Sequence, residues 1–351
     1  MTEEVLFHIS ENGAGTITLN RPEAINSLTH GMLAVIREKL LSWKNDDNIK
    51  VIILEGAGSR GLCAGGDMKA LYQAKDQEGS LEDAKTFFEV EYETDLLIYH
   101  YPKPIIASLD GIVMGGGVGL SYGASHRIVT ETTKWSMPEM NIGFFPDVGA
   151  AYFLNKAPGY TGRYLALNAE VISAADVLYI HGADHYMPQD QLTMFLEEIK
   201  GANWHEANPE EDMAKLVKSY TENAEVQKGH LAEAQDMINQ HFKHETVEEI
   251  IASLETDPSD FAQKTRHNLL SKSPVSLKVT LEQLKRGAGK TFADCLETDL
   301  TLAKRFMEHH DFYEGVRSVL IDKDRHPNYR YKHLLDVTDD LVESFFMRDS
   351  G

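Results

Sequence analysis

The stretch PIIASLDGIVMGGGVGL, residues 104–120, joins a short apolar run to a cluster of glycines. An apolar run of this length that ends near a glycine is typical of a strand buried on both faces of a parallel sheet. The same arrangement occurs earlier in the chain, where VIILEG at 51–56 precedes GSRGLCAGGDM at 58–68. A helix is predicted between the two strands, over residues 81–100. The alternation of strand, loop and helix predicts an α/β fold.

The rest of the chain extends this pattern and then departs from it. Two short strands are predicted at 5–9 and 15–19, and Thr29 is a plausible N-cap for the helix that follows. Beyond about residue 185 the sequence consists mainly of helical patterns such as TVEEIIASLE and SLKVTLEQLKRG. We therefore predict a catalytic core over residues 1–200 and a mostly helical C-terminal region over 201–351.

Composition narrows the classes of function. The formal charge of −21 argues against nucleic acid or an anionic membrane as the main partner. No apolar run approaches the roughly 20 residues that a membrane span needs. The acidic N-terminus resembles neither a signal peptide nor a transit peptide, and two cysteines in 351 residues fit a reducing cytoplasm. Fifteen histidines show no metal-ligand spacing, so no metal site is expected.

The two glycine clusters have two possible uses. Neither ends in the Gly-Lys-Ser/Thr of a P-loop, and the run at 115–119 lacks the last glycine of a dinucleotide fingerprint. Glycines after a strand can simply permit a tight turn or close packing. They can also expose backbone N–H groups, and one such group from each cluster would form an oxyanion hole on a carbonyl oxygen. The residues alone leave both interpretations open.

Four side chains are candidates for chemistry, each with an ordinary alternative. In PEMNIGFFPDVGA at 138–150, Glu139 stands among apolar residues, whereas Asp147 could serve as a helix cap. Glu91 lies in the acidic segment FFEVEYETD, where a solvated helix face is the usual explanation. Cys63 is a possible nucleophile, but a free cysteine is more often a small buried hydrophobe.

Several motifs in combination resemble the crotonase (enoyl-CoA hydratase/isomerase) superfamily and, within it, the 3-hydroxyisobutyryl-CoA hydrolase subgroup. The resemblance covers essentially residues 3–335. The motifs that carry it are LNRPEAINSL, CAGGDMK, FFEVEYETD, PKPIIASLDGIVMGGGVGLS, SMPEMNIGFFPDVGAAYFL, SKSPVSLKVTLEQLKRG and HDFYEGVRSVLIDKDRHPNY.

The resemblance implies a spiral of ββα units, with helical C-terminal elements over the active site. It implies that the amides of Gly66 and Gly116 form the oxyanion hole for a thioester carbonyl. Acyl-CoA is then the substrate, so CoA is not a separate cofactor. The phosphates would lie near the loops at 21–28 and 60–70, where the basic candidates are Arg21, Arg60 and Lys69. Many relatives trimerise, so a homo-oligomer is possible.

One departure from the hydratase pattern selects a chemistry. Hydratases of the superfamily use two glutamates, and the first position here holds Gly119. The second glutamate is retained as Glu139. Asp147 stands where many hydratases have glycine, and an aspartate at this position is what the hydrolase subgroup shows. The resemblance therefore implies thioester hydrolysis in valine breakdown, with 3-hydroxyisobutyryl-CoA as the substrate and 3-hydroxypropionyl-CoA as a second candidate substrate.

In that reaction Glu139 would activate water or attack directly to give a mixed anhydride. Asp147 would orient the water or hold the β-hydroxyl, and Glu91 would be a further substrate contact. Two alternatives stay open at this point: an enoyl-CoA hydratase or isomerase, and a non-catalytic acyl-CoA-binding protein.

Overall fold

The computed structural model describes residues 3–75, 80–205, 208–222 and 224–348, and it confirms the α/β fold. The strands are β1 (Val5–Ile9), β2 (Ala14–Leu19), β3 (Val51–Gly56), β4 (Gly61–Cys63), β5 (Ile105–Leu109), β6 (Ile112–Met114), β7 (His126–Val129), β8 (Lys134–Ser136) and β9 (His185–Tyr186). A six-stranded sheet has the order β1-β2-β3-β5-β7-β9, and a smaller sheet has the order β4-β6-β8.

The large sheet is parallel except at one edge. β1 pairs with β2 in antiparallel orientation, and every other neighbouring pair, from β2·β3 to β7·β9, is parallel. The two apolar runs that predicted the fold are β3 and β5, and all five residues of β5 are buried. Burial on both faces explains why these strands are continuously apolar instead of alternating.

Helices connect the strands and make up the chain after them. They are α1 (His30–Lys44), α2 (Met68–Ala74), α3 (Ser80–Tyr99), α4 (Gly116–Tyr122), α5 (Ala150–Leu154), α6 (Thr161–Asn168), α7 (Ala174–Tyr179), α8 (Gln189–Gly201), α9 (Pro209–Thr221), α10 (Leu231–Phe242), α11 (Val247–Thr256), α12 (Asp260–Leu270), α13 (Pro274–Gly287), α14 (Phe292–Met307), α15 (His310–Val316) and α16 (Asp339–Phe346). Short 3₁₀ turns form at Pro22–Ala24, Glu139–Ile142 and Leu334–Asp336, and a π-helical turn at Arg317–Ile321.

The helix boundaries follow local sequence signals. Thr29 caps α1 as predicted, because its side chain accepts a hydrogen bond from the amide of Met32. Thr246 and Thr291 form capping boxes that begin α11 and α14. All described elements after β9 are helical, which confirms the mostly helical character of the C-terminal region. None of the helices in the described ranges is long and apolar enough to cross a membrane.

Contacts divide the chain into two compact units, neither of which is continuous in sequence. The first unit comprises Met1–Gly66, Val90–Trp135 and Ile172–Gly229, and it contains the six-stranded sheet. Its core includes the apolar side chains Val51, Ile53, Ile106, Ile128, Phe195 and Trp204. The boundary at residue 200 stays a prediction.

The second unit comprises Asp67–Glu89, Ser136–Val171 and His230–Gly351. Phe144 lies at the centre of an aromatic cluster in this unit. Its ring contacts those of Phe88, Phe145, Phe306 and Phe312 at centroid distances between 4.5 and 5.6 Å. The cluster anchors the middle of the segment 138–150, which carries Glu139 and Asp147.

Gly143 ends the 3₁₀ turn Glu139–Ile142, and its contact with the backbone of Asp311 holds the same segment at a second place. Its φ is +65°, and a Cβ there would lie 2.2 Å from the carbonyl oxygen of Asp311. We expect Gly143→Ala to destabilise the fold through left-handed strain and a backbone collision, by ~2 kcal/mol or more in urea denaturation.

Gly289→Ala is the matched control, because Gly289 also has a left-handed φ, +73°, but open space around it. It should lose only about 1 kcal/mol. Equal losses in the two variants would mean that contact with Asp311 does not matter.

Candidate active site

The two glycine clusters lie side by side in the first unit. Gly65 and Gly66 follow β4, and the glycines at 115–117 follow β6. The two strands pair in parallel, and α4 begins at Gly116. A Cβ built on Gly116 would lie 3.4 Å from the amide nitrogen of Gly66, and one on Gly65 would lie 3.6 Å from the amide nitrogen of Gly116. Because the first N–H groups of a helix have no intrahelical acceptor, Gly116 can present a donor next to the backbone of Gly66.

Glu91 approaches the same glycines. It lies on α3 with 2% of its surface exposed, so the interpretation as a solvated helix face is wrong. A Cβ on Gly116 would stand 2.2 Å from Glu91 Oε1, so only glycine permits this approach. The structure therefore brings together Gly66, Gly116 and Glu91, three residues predicted from separate motifs.

Cys63 does not have the character of a nucleophile. It is fully buried and free. Burial raises the pKa of its thiol to about 12, and the amide of Gly65, which donates to its sulfur, only partly offsets this effect. A thiol with this pKa holds almost no thiolate at neutral pH.

Glu139 is a buried acid in the second unit. It opens the 3₁₀ turn Glu139–Ile142 and is 8% exposed. Burial raises the pKa of its carboxyl well above the usual range, and the negative charge of Asp147 raises it further. Its Oε2 has no hydrogen-bond partner among the described residues. This is the electrostatic setting of a carboxyl group that can act as a base near neutral pH.

Asp147, the other candidate acid in this unit, is 5% exposed. The helix that follows it, α5, begins at Ala150, and its N-cap residue is Gly149, which makes no side-chain capping bond. The interpretation of Asp147 as a helix cap is therefore wrong. What the structure shows is a carboxyl close enough to Glu139 to change its proton affinity.

Sequence reasoning missed a further acid that interacts with this segment, Asp299 on α14, which is fully buried. Its carboxylate accepts from the amide of Gly149 at 2.7 Å and from the side chain of Gln283 at 2.8 Å. Burial raises its pKa well above the usual range, and the charge of Asp147 adds to this effect. A signal was present, since Asp299 falls at helical spacing from the buried Leu296 and Leu302, on the apolar face of α14.

The predicted site residues thus form two groups, each within one unit. Gly66, Gly116 and Glu91 lie in the first unit, and Glu139 and Asp147 lie in the second. Within the described ranges, no group of three or more His, Cys, Asp or Glu side chains is arranged to hold a metal ion. The predicted roles of Arg21, Arg60 and Lys69 toward CoA stay predictions.

Comparison with known proteins identifies relatives over nearly the whole chain. The family model for enoyl-CoA hydratase/isomerase matches residues 14–346. A mitochondrial 3-hydroxyisobutyryl-CoA hydrolase from Xenopus laevis is 40% identical over 95% of this chain and 86% of its own length. The human protein of the same name is 37% identical over 98% of this chain and 88% of its own length.

Solved structures share the fold. A carnitinyl-CoA dehydratase from Mycobacterium thermoresistibile is 37% identical, with a TM-score of 0.91 over 99% of this chain and 98% of that one. An enoyl-CoA hydratase from Rhodobacter sphaeroides is 33% identical, with a TM-score of 0.88 over 98% and 97%. The names of these relatives refer to different reactions, so the acids of the site must decide between them.

The raised pKa of Glu139 predicts a dependence of stability on pH. Because the folded state favours the protonated form, it loses stability as pH rises from about 4.3, the ordinary pKa of Glu, through the raised value. We expect Glu139→Gln to increase the free energy of unfolding at pH 8 and to change it little at pH 4. Each pKa unit corresponds to ~1.4 kcal/mol.

Urea denaturation at the two pH values measures this difference, with Glu38→Gln on the exposed surface of α1 as the control. A gain in stability that is the same at both pH values would contradict the electrostatic explanation.

Proposed function

The chain belongs to the enoyl-CoA hydratase/isomerase family, and on that basis we propose that it hydrolyses the thioester of 3-hydroxyisobutyryl-CoA to CoA and the free hydroxy acid. The observation that carries this proposal is the buried pair Glu139 and Asp147, in which Asp147 raises the pKa of Glu139. The curated relatives named for this activity support it, because they match this chain over most of their length.

The first chemical task is to stabilise the oxyanion. The backbone N–H groups of Gly66 and Gly116 are the proposed donors to the thioester oxygen. When a nucleophile adds to the carbonyl carbon, the oxygen becomes negative and these hydrogen bonds strengthen. A good donor of this kind typically contributes about 3 kcal/mol to transition-state stability.

The second task is to supply the nucleophile. As a base, Glu139 takes a proton from water while the water oxygen bonds to the carbonyl carbon. The tetrahedral intermediate then collapses, the C–S bond breaks, and the CoA thiolate leaves and is protonated. In the covalent alternative, the carboxylate of Glu139 attacks first and water opens the resulting anhydride. Both routes consume one water and release one thiol.

Asp147 and Glu91 are proposed to recognise the acyl group and the water. Asp147 orients the attacking water or accepts a hydrogen bond from the β-hydroxyl group, and Glu91 supplies a further contact. A carboxylate that binds the hydroxyl favours 3-hydroxyisobutyryl-CoA and 3-hydroxypropionyl-CoA over esters without one. Valine breakdown as the pathway and the cytoplasm as the location are part of the same proposal.

Hydration of an enoyl-CoA is the second candidate, because solved structures that resemble this chain carry hydratase and dehydratase names. Hydration needs a group to position water and a group to move a proton to the α-carbon. Gly119, on α4, stands where the hydratase pattern has its first glutamate, and it offers no carboxylate. This substitution favours hydrolysis.

A direct assay distinguishes the candidates. The purified protein is incubated with 3-hydroxyisobutyryl-CoA and, separately, with crotonyl-CoA, while free thiol and enoyl absorbance are recorded. We expect thiol release from the first ester, reduced at least a hundredfold by Glu139→Gln because the base is removed. Loss of enoyl absorbance without thiol would identify a hydratase. Binding of both esters without turnover would identify a non-catalytic protein.

Asp147→Asn tests the second acid. We expect kcat to fall on the order of a hundredfold, because a neutral amide is a weaker hydrogen-bond acceptor for the water or the β-hydroxyl group than a carboxylate is. The melting temperature should not fall, since Asp147 is not the N-cap residue of α5 and its charge raises the pKa of two buried acids. Asp190→Asn on the exposed surface of α8 is the control for the chemical change. An unchanged kcat in Asp147→Asn would remove Asp147 from the proposed mechanism.

A further inference from the structure

We propose that Asp299 and Gln283 form a clamp that positions Asp147, so that both act as positioning residues for the reaction. This proposal rests on the function proposed above, because it assigns Asp147 a part in hydrolysis. It is carried by separate observations on the turn that contains Asp147: the backbone conformation of the turn, the hydrogen bonds at both of its ends, and the burial of the groups that make them.

The turn at residues 146–149 has a conformation that the chain does not adopt without support. Val148 has a φ of +49° and is fully buried, and Gly149 follows with a φ of +81°. The left-handed region is strongly disfavoured for a β-branched residue such as valine. Strain of this kind costs about 1–3 kcal/mol and persists only where surrounding contacts enforce it.

Two side chains from distant helices hold the two ends of this turn. At its C-terminal end, the amide of Gly149 donates to Asp299 Oδ2 at 2.7 Å. At its N-terminal end, Gln283 Nε2 donates to the carbonyl oxygen of Pro146 at 2.9 Å. The same Nε2 donates to Asp299 Oδ1 at 2.8 Å, which links the two attachments. Hydrogen bonds therefore hold the residues on both sides of Asp147 and Val148.

The packing leaves little room for another arrangement. A Cβ at Gly149 would lie 2.1 Å from the ring of Phe292, the first residue of α14. The turn is thus pressed against the helix that also carries Asp299. A shift of the turn would break the hydrogen bond of Gly149 or bring its backbone against Phe292.

The choice of groups also indicates a role beyond stability. Asp299 is fully buried, and burial together with the negative charge of Asp147 disfavours its ionised form, so an acid here destabilises the fold although it accepts two hydrogen bonds. Gln283 is 1% exposed, and its Oε1 has no hydrogen-bond partner among the described residues. Groups that destabilise a fold in this way are characteristic of functional sites. The arrangement is explained if it fixes where the Asp147 carboxyl points.

A double-mutant cycle tests the clamp. Asp299→Asn keeps the size of the side chain but places an NH₂ group against one of the two donors. We expect kcat for thiol release to fall tenfold to a hundredfold with KM unchanged within about twofold, because a displacement near 1 Å has effects of this size. In the Asp147→Asn background, the same substitution should change kcat by less than about threefold, because Asp299 acts through Asp147. Losses that multiply would overturn the proposal.

A matched control separates positioning from general destabilisation. Asp176 is another buried aspartate, 1% exposed, in the unit that lacks Glu139 and Asp147, and it accepts a hydrogen bond from Ser173. Asp176→Asn should lower the melting temperature without lowering kcat. If it lowers kcat as much as Asp299→Asn does, the clamp is refuted. Should Asp299→Asn fail to fold, Gln283→Met removes the shared donor, and we expect a smaller fall in kcat with KM unchanged.

A crystal structure of Asp299→Asn, or of Gln283→Met, gives a readout that does not depend on the reaction. We expect a displaced Asp147 carboxyl and a changed φ at Val148. An unchanged turn would refute the clamp even if the wild-type protein releases thiol. Conversely, a displaced turn in a protein that releases no thiol would support the clamp and refute the proposed hydrolysis.

Discussion

The proposed chemistry depends on the electrostatic interaction between carboxyl groups that the fold removes from water. Glu139, Asp147 and Asp299 all lie in one compact unit, and each is at most 8% exposed. Burial and the charge of Asp147 raise the pKa of the other two. Such a group destabilises the fold at neutral pH, so its presence is best explained by chemistry. A base with a raised pKa can accept a proton from water near neutrality, and a surface glutamate cannot do so efficiently.

Close approach of backbone and side chains is the corresponding constraint among the site residues of the first unit. Gly116 admits the carboxyl of Glu91 to a place that a Cβ would occupy. Glycine is therefore required here for close approach, whereas its conformational freedom matters at Gly143 and Gly149, where φ is positive. These are different physical reasons for the same residue type, and the sequence shows only the glycine.

Local signals predicted what local physics decides. The buried strands β3 and β5, the cap at Thr29 and a helix predicted at 81–100 and found at Ser80–Tyr99 followed from composition and spacing. The burial of Glu91 did not, because an acidic segment is usually solvated and only tertiary packing reverses that expectation. The bond between Gly149 and Asp299 spans 150 residues, and no local pattern encodes it. Glu139 and Asp147 were found through a motif, and a raised pKa for at least one of two carboxylates in a partly apolar pocket was expected; that burial is the larger cause for Glu139 required the structure.

In the proposed reaction, the chain cleaves the C–S bond of a β-hydroxyacyl-CoA by adding water to its carbonyl carbon. The most direct measurement is mass spectrometry of the products formed from 3-hydroxyisobutyryl-CoA in ¹⁸O-labelled water. Under multiple turnover, we predict one ¹⁸O in the carboxyl group of the released acid and one free thiol for each acid formed. Label found instead in the β-hydroxyl of an intact CoA ester, without thiol, would show reversible dehydration and would contradict hydrolysis.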